Sequence, residues 1–193
     1  MHRRRFRLFV PVLVIVAVLV PLDASVVWAA RWRTIHNQTF EGTFPPNPGL
    51  WATYDSSHTS SQGVWAKSTG GFNSLYAAHP RGGTTPYNYN TSTWMRYGPF
   101  SLAGATNARM LFKYKLDSEV GYDFFGWAYS CNGVGNWTGQ TVSGNIGVWV
   151  SPTLSLKPCV GKTAVYVQFT FSSDQSVNYQ GVWLDNVKIQ KYS

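Results

Sequence analysis

The most regular pattern of hydrophobic and polar positions lies in the middle of the chain, over residues 108–116. Every second residue from Met110 to Leu116 is large and apolar or aromatic. Lys113 and Lys115 lie at positions between them. The same alternation returns over residues 164–171, where every second residue from Val165 is apolar. A period of two is typical of a strand with one face in a core and one face in water. Both segments therefore predict half-buried β-strands.

Shorter runs predict further strands, over residues 32–41, 63–68, 74–78, 148–156 and 182–189, and around Trp94 and Tyr129. Residues 42–61 and 131–147 are rich in turn-forming residues and are predicted to be loops. No amphipathic period of 3.6 residues is convincing beyond the N-terminus. About eight to ten strands with connections of uneven length favour an all-β fold, a two-sheet antiparallel sandwich of jelly-roll type.

The N-terminus has the composition of a secretory signal peptide. Four arginines within residues 1–7 precede an uncharged, proline-interrupted run that is short for a membrane span. Small residues at Val27 and Ala29 predict cleavage after Ala29, which gives a signal peptide over residues 1–29 and a single domain over residues 30–193. An uncleaved membrane anchor is the alternative. Both versions place the folded part outside the cytoplasm, so we expect a secreted, extracellular protein.

Removal of the signal peptide changes the charge. The chain has 16 basic and 8 acidic residues, and residues 1–29 contain four Arg and Asp23, so 12 basic and 7 acidic residues remain, a net charge of +5. These basic residues are scattered, with no group denser than a pair such as Lys113 and Lys115. Scattered charges are typical of a solvated surface, so no nucleic-acid partner is expected.

The two cysteines, Cys131 and Cys159, both lie in the exported part. An even number of cysteines in an oxidising compartment predicts a disulfide, here closing a loop of about 28 residues. Such a loop stabilises the fold by about 3 kcal/mol through the entropy of the unfolded chain.

The chain resembles a known type of domain in two runs, residues 94–130 and residues 169–189. They resemble the jelly-roll domain that follows the catalytic domain in immune-inhibitor-A-type metallopeptidases. More distantly they resemble MAM domains, which also open on a Phe-Glu pair, here Phe40 and Glu41, and close on an Asp-bearing strand. The zinc motif HExxH of the peptidases is absent. The resemblance therefore implies the fold and an accessory binding role, without the peptidase activity.

Asp185 stands in the apolar final strand, where strict alternation places it on one face with Trp183, Val187 and Ile189. A carboxylate in an apolar row requires a cation or hydrogen-bond donors. Ca²⁺ is one answer outside the cell, with Glu41 of the first strand as the partner ligand, and the resemblance to MAM domains points to the same two positions. The alternative is that backbone N–H groups at a β-bulge satisfy Asp185.

No catalytic motif selects an enzymatic function. The acidic group Asp117, Glu119 and Asp123 has too few ligands for an EF-hand-like loop and is interpreted as a solvated turn in which Asp123 caps backbone groups. A G-x-S-x-G elbow is absent, and no pattern selects two carboxylates for glycoside hydrolysis. We therefore expect no enzymatic activity, with an unrecognised extracellular hydrolase as a minor alternative.

Aromatic residues supply the remaining signal, since they make up 16% of the chain. Tyr87, Tyr89 and Trp137 lie in polar loops and are candidates for stacking on sugar rings, whereas Trp94 is expected in the core. The sequence thus predicts a secreted, non-catalytic module that binds carbohydrate or a cell-surface polymer. The alternative is a module for adhesion to a cell-surface protein. Membrane contact is expected only if the N-terminal segment is not cleaved.

Overall fold

The computed structural model describes residues 29–46, 49–57, 64–81, 86–133 and 135–193. All but the last residue of the predicted signal peptide lies outside these residues. The described part contains twelve strands and one short 3₁₀ helix. They are β1 (Trp32–Gln38), β2 (Trp51–Asp55), β3 (Trp65–Thr69), β4 (Tyr76–Pro80), β5 (Ser92–Phe100), β6 (Asn107–Asp117), β7 (Phe124–Ser130), β8 (Thr138–Val142), β9 (Asn145–Val150), β10 (Thr153–Ser155), the 3₁₀ helix (Lys157–Cys159), β11 (Val165–Ser172) and β12 (Gly181–Tyr192). Over the described ranges, no helix has the length and apolar character needed to cross a membrane.

The strands form two antiparallel sheets. One has five strands in the order β2-β5-β11-β7-β8. The other has seven strands in the order β10-β6-β12-β4-β3, with β1 also paired to β12 and β9 also paired to β6. The predicted all-β, two-sheet antiparallel sandwich is confirmed.

The core lies between the sheets and is rich in aromatic rings. The alternation predicted in β6 and β11 is confirmed, because every second residue of both strands is buried. Phe112 of β6 packs edge-on against Phe169 of β11, with ring centroids 5.1 Å apart. Burial of each such ring stabilises the fold by about 2–3 kcal/mol. The polar side chains of the same strands consequently face outward.

Two strands, β2 and β8, lie where the sequence predicted loops. They form the two edges of the five-stranded sheet, where β2 pairs with β5 and β8 pairs with β7. Their own residues carry a weak strand signal, and their neighbours in the sheet supply the backbone partners that fix them. The single strand predicted over residues 148–156 is instead two strands, β9 and β10, because Pro152 interrupts the ladder.

The alternation predicted over residues 182–189 breaks at a β-bulge. The register of β12 with β6 shifts around Asn186, whose φ is 52°. Because the bulge adds one residue, Leu184 before it and Val187 after it both face the core. The prediction of one continuous row through this strand is therefore wrong, although Asp185 itself is buried as that prediction required.

The disulfide between Cys131 and Cys159 is confirmed. It joins the residue after β7 to the 3₁₀ helix, with the two Cα atoms 5.1 Å apart. The bond therefore fixes the connection between β10 and β11 to the end of the five-stranded sheet.

Candidate functional site

The outer face of the five-stranded sheet carries the main candidate site, and β5 positions its central side chains. Met95 and Tyr97 of β5 point into the core, so Trp94 and Arg96 point outward. The expectation that Trp94 belongs to the core is wrong, because the pleat of β5 gives the inward positions to its neighbours. Arg96 lies opposite Gln168 of β11 in the sheet.

The guanidinium group of Arg96 lies between two indole rings. Its carbon atom is 4.5 Å from the ring centroid of Trp94 and 4.6 Å from that of Trp137. Both Nε and Nη2 donate to the side-chain oxygen of Gln168, at 3.2 and 2.8 Å. Partial burial lowers the pKa of Arg96, yet an arginine remains protonated near neutral pH. Cation–π contacts and hydrogen bonds thus hold one positive charge in a defined place on this face.

Tyr54 of β2 extends this row of rings. Its ring centroid is 5.4 Å from that of Trp94, with an angle of 32° between the planes, and the residue is 52% exposed. We call Tyr54, Trp94, Arg96 and Trp137 the aromatic strip. The sequence did not single out Tyr54 or Arg96; residues 51–55 show no regular alternation and fall within a predicted loop.

A shallow depression of about 310 Å³ lies beside Trp137. Its floor is made of small residues on β7 and β8, and polar side chains of β8 and β11 stand around it. The lining residues are Gly126, Trp127, Ala128, Trp137, Gly139, Gln140, Thr141, Gln168 and Thr170. The face therefore combines flat rings, one fixed cation, and hydroxyl and amide groups that can donate and accept hydrogen bonds.

The three aromatic residues predicted to bind ligand lie in different environments. Trp137 belongs to the aromatic strip, and Tyr89 is 49% exposed in the loop before β5. Tyr87 is only 1% exposed, so the prediction that it is an exposed ligand-binding residue is wrong. Its hydroxyl donates to Asp123 and its ring packs edge-on against Phe171 at 4.8 Å. Burial, with the hydrogen bond to Asp123, raises the pKa of Tyr87 far above its usual range.

The predicted calcium ligands are Glu41 and Asp185. Asp185 binds the loop between β3 and β4, and Glu41 binds the first residue of β4. Oδ2 of Asp185 accepts from the backbone N–H of Phe72 and from Oγ of Ser74, both at 2.8 Å. Glu41 accepts from the backbone N–H of Tyr76 at 2.9 Å. Burial raises the pKa of Asp185, these hydrogen bonds oppose that effect, and the nearby charge of Glu41 adds to it.

The oxygen donors of this pair are of the hard type that Ca²⁺ prefers. The backbone N–H of Asn186 also donates to Oδ1 of Asp185, at 2.6 Å. Backbone N–H groups at and near the β-bulge therefore satisfy Asp185, as the alternative to a calcium site predicted. A calcium ion bound by Glu41 and Asp185 stays a prediction.

The acidic loop after β6 lies close to a third carboxylate that the sequence did not associate with it. Asp174, which follows β11, lies with Glu119 and Asp123 so that one oxygen of each falls within 4.8 Å of the others. Asp123 accepts from the backbone N–H of Asp174 at 2.9 Å, which agrees with its expected capping role. Oε2 of Glu119 is buried without a hydrogen-bond partner among the described residues. Desolvation and the two neighbouring carboxylates raise the pKa of Glu119.

Comparison with known proteins bears on the fold. No protein-family model matches the chain, and no curated protein shows significant sequence similarity to it. Among solved structures, the K3 cleaved adhesin domain of Lys-gingipain from Porphyromonas gingivalis is similar with a TM-score of 0.60 and 18% identity, covering 83% of this chain and 99% of that one. The K1 cleaved adhesin domain of the same protein has a TM-score of 0.57 and 19% identity, covering 80% and 96%.

The C-terminal family 22 carbohydrate-binding module of Clostridium thermocellum Xyn10B is also similar. Its TM-score is 0.51 at 13% identity, and the match covers 82% of this chain and 94% of that one. These similarities place the chain in the class of β-sandwich folds that adhesin domains and carbohydrate-binding modules adopt. The more specific resemblance to immune-inhibitor-A-type and MAM domains stays a prediction.

Proposed function

We propose that the protein is an extracellular, non-catalytic carbohydrate-binding module that holds its ligand on the aromatic strip. The arrangement of Arg96 between Trp94 and Trp137 carries this proposal. Rings held side by side on an open sheet provide apolar surfaces for the C–H faces of sugars. The use of the same fold by an adhesin domain and by a carbohydrate-binding module supports a binding role.

The shape of the face favours a glycan chain over a small sugar. The strip runs across strands β2 and β5 toward the loop before β8, and the depression beside Trp137 continues it over β7 and β8. Hydroxyl groups of the sugar would exchange hydrogen bonds with Gln168 and Thr170, which line that depression. Because Arg96 is already fixed by Gln168, little side-chain entropy is lost on binding.

The test is binding of the purified protein to an array of glycans and insoluble polysaccharides, followed by calorimetry on any selective ligand. Trp137→Ala is expected to weaken binding roughly tenfold, or about 1.4 kcal/mol. Tyr122→Ala is the matched control, since Tyr122 is 62% exposed in the acidic loop and away from the strip. Equal affinity of Trp137→Ala and wild type for the selected glycan contradicts the assignment to this face.

Two outcomes would redirect the proposal. A blank array would favour the alternative of adhesion to a cell-surface protein; the similar gingipain domains are named adhesin domains. Release of new reducing ends from a bound polysaccharide would show a hydrolase. The array is run both with and without Ca²⁺, so that neither outcome depends on the metal.

A further inference from the structure

The outer face of the seven-stranded sheet gathers basic residues that are far apart in sequence. The outward face of β6 carries Arg109, Lys113 and Lys115. Lys188 of β12 lies opposite Leu111 in the register, between the rows of Arg109 and Lys113. We call these four residues the basic stripe. Lys115 is six residue steps along β6 from Arg109, so the stripe is about 20 Å long.

A cleft of about 570 Å³ lies along three of these cations, Arg109, Lys113 and Lys188. Amide and hydroxyl side chains supply the rest of its polar lining, and no carboxylate lines it. They are Asn37, Ser151, Asn186 and Gln190. The β-bulge at Asn186 places that side chain on the cleft, which gives the bulge a part in shaping this surface.

The cations of the basic stripe are held in place by rings and neutral groups. Arg109 stacks 4.0 Å over the ring of Trp32, and its Nε donates to Gln190 at 3.0 Å. The ammonium group of Lys113 lies 4.0 Å over the ring of Phe72 and donates to Ser151 at 2.7 Å.

Lys115 lies 4.5 Å over the ring of Trp183. Among the described residues, no ion pair joins a carboxylate to any cation of the stripe. Asp185 is opposite Lys113 in the register, but its carboxylate is buried and turned to Phe72 and Ser74. Arg109, Lys113 and Lys115 are therefore pre-oriented without an ion pair, which suits an anionic partner.

We propose that the basic stripe binds a uronate-bearing polysaccharide along β6. An extended chain with carboxylates at intervals matches cations spaced along a strand, and its hydroxyl groups match the amide-lined cleft. Nucleic acid is the competing anionic polymer, and poly-deoxythymidine tests for it below. This site is on the sheet opposite the aromatic strip and does not depend on the function proposed for that strip.

The test uses polygalacturonate and alginate as probes of the full protein in a pull-down and by calorimetry. The double variant Lys113→Glu/Lys188→Glu is expected to weaken binding at least tenfold. Lys157→Glu/Lys162→Glu makes the same change in net charge at exposed lysines outside the stripe and is expected to change affinity less than twofold. Lys113→Arg/Lys188→Arg should retain binding, and Trp137→Ala should leave it unchanged, which separates this site from the aromatic strip.

Three controls can overturn the proposal. Methyl-esterified polygalacturonate keeps the sugar backbone and loses the charge, so binding of equal strength to it contradicts charge recognition. Equal or tighter binding of polyphosphate or of poly-deoxythymidine would show a partner of another class. No binding of either uronate polymer, or equal losses in the two charge-reversal variants, also overturns it. A fold check by circular dichroism on each variant separates these results from unfolding.

Discussion

His79 makes the stability of the protein depend on pH, because its imidazole is fully buried. It lies on β4, where its Nε2 donates to the carbonyl oxygen of Gln180 at 2.8 Å and its ring is 4.9 Å from that of Trp183. Burial lowers the pKa of His79 to about 4, an effect that backbone hydrogen bonds oppose and that the charge of Arg81 strengthens. The folded protein therefore keeps this imidazole neutral at pH values where the unfolded chain protonates it.

The sign and size of the effect follow from linkage. The pKa of His79 is depressed in the folded state, so between pH 6.5 and 4 the unfolded state binds more protons. The free energy of unfolding consequently falls as the pH decreases through this window. The difference between 6.5 and about 4 corresponds to a loss of about 3 kcal/mol, complete below pH 4 and absent above about pH 7.

Urea unfolding of the wild type and of His79→Gln at pH 7 and pH 4.5 measures this contribution. Carboxylates titrate in the same range, and Asp185, with its raised pKa, acts in the opposite direction, so the comparison with the variant isolates the histidine. The wild type is expected to lose about 2.5 kcal/mol more than His79→Gln between the two pH values. Equal losses would falsify the argument. An NMR titration of His79 gives the same answer if the variant is unstable, since a pKa near 6.5 contradicts burial as the cause.

Three further predictions concern the disulfide and the acidic residues. Replacing Cys131 and Cys159 by Ser is expected to lower the free energy of unfolding by about 3 kcal/mol, since the 28-residue separation sets the lost loop entropy; a change in the urea midpoint equivalent to less than about 1 kcal/mol contradicts this. If Glu41 and Asp185 bind Ca²⁺, a chelator lowers the Tm of the wild type and not that of Asp185→Ala, whereas an unmoved wild-type Tm removes the site. Glu119→Gln is expected to raise the urea midpoint at pH 7 in the presence of a chelator, because Oε2 of Glu119 has no hydrogen-bond partner among the described residues and lies beside the carboxylates of Asp123 and Asp174; a lower midpoint shows that the charge has a partner.

The calcium and uronate predictions concern neighbouring parts of one sheet and need to be kept apart experimentally. Asp185 is opposite Lys113 in the register, so loss of Asp185 can move the bulge beside the cleft. Polymer binding is therefore compared between wild type and Glu41→Gln, which changes the predicted metal site and leaves the bulge intact. Unchanged uronate binding in Glu41→Gln shows that the two sites act separately.

Local patterns in the sequence were enough to predict the sandwich and much of its core. Alternation in β6 and β11 is a local property, because side chains of a strand point to opposite faces whatever the strand pairs with. The even number of cysteines and the expected oxidising compartment were enough to predict the disulfide between Cys131 and Cys159. The sequence also placed Trp137 among the candidate binding residues from its position in a polar loop.

Which residues share a surface depends on the pairing of strands that are distant in sequence. Tyr54 and Trp94 face outward together because β2 pairs with β5, and the weak signal of β2 hid this pairing. Tyr87 can be buried because the carboxylate of Asp123, distant in sequence, accepts a hydrogen bond from its hydroxyl group inside the fold. Loop residues of the same composition can thus end in water or in the core.

The basic stripe shows the same limit for charge. Lys188 is 75 residues from Lys113 along the chain, so the sequence does not show that the two form one group. The antiparallel pairing of β12 with β6, shifted by one residue at the bulge, brings Lys188 between Arg109 and Lys113. A register is set by backbone hydrogen bonds between distant segments, and a single bulge moves every later side chain to the other face. Local patterns therefore determine which residues form strands, whereas pairing determines which of their side chains form a site.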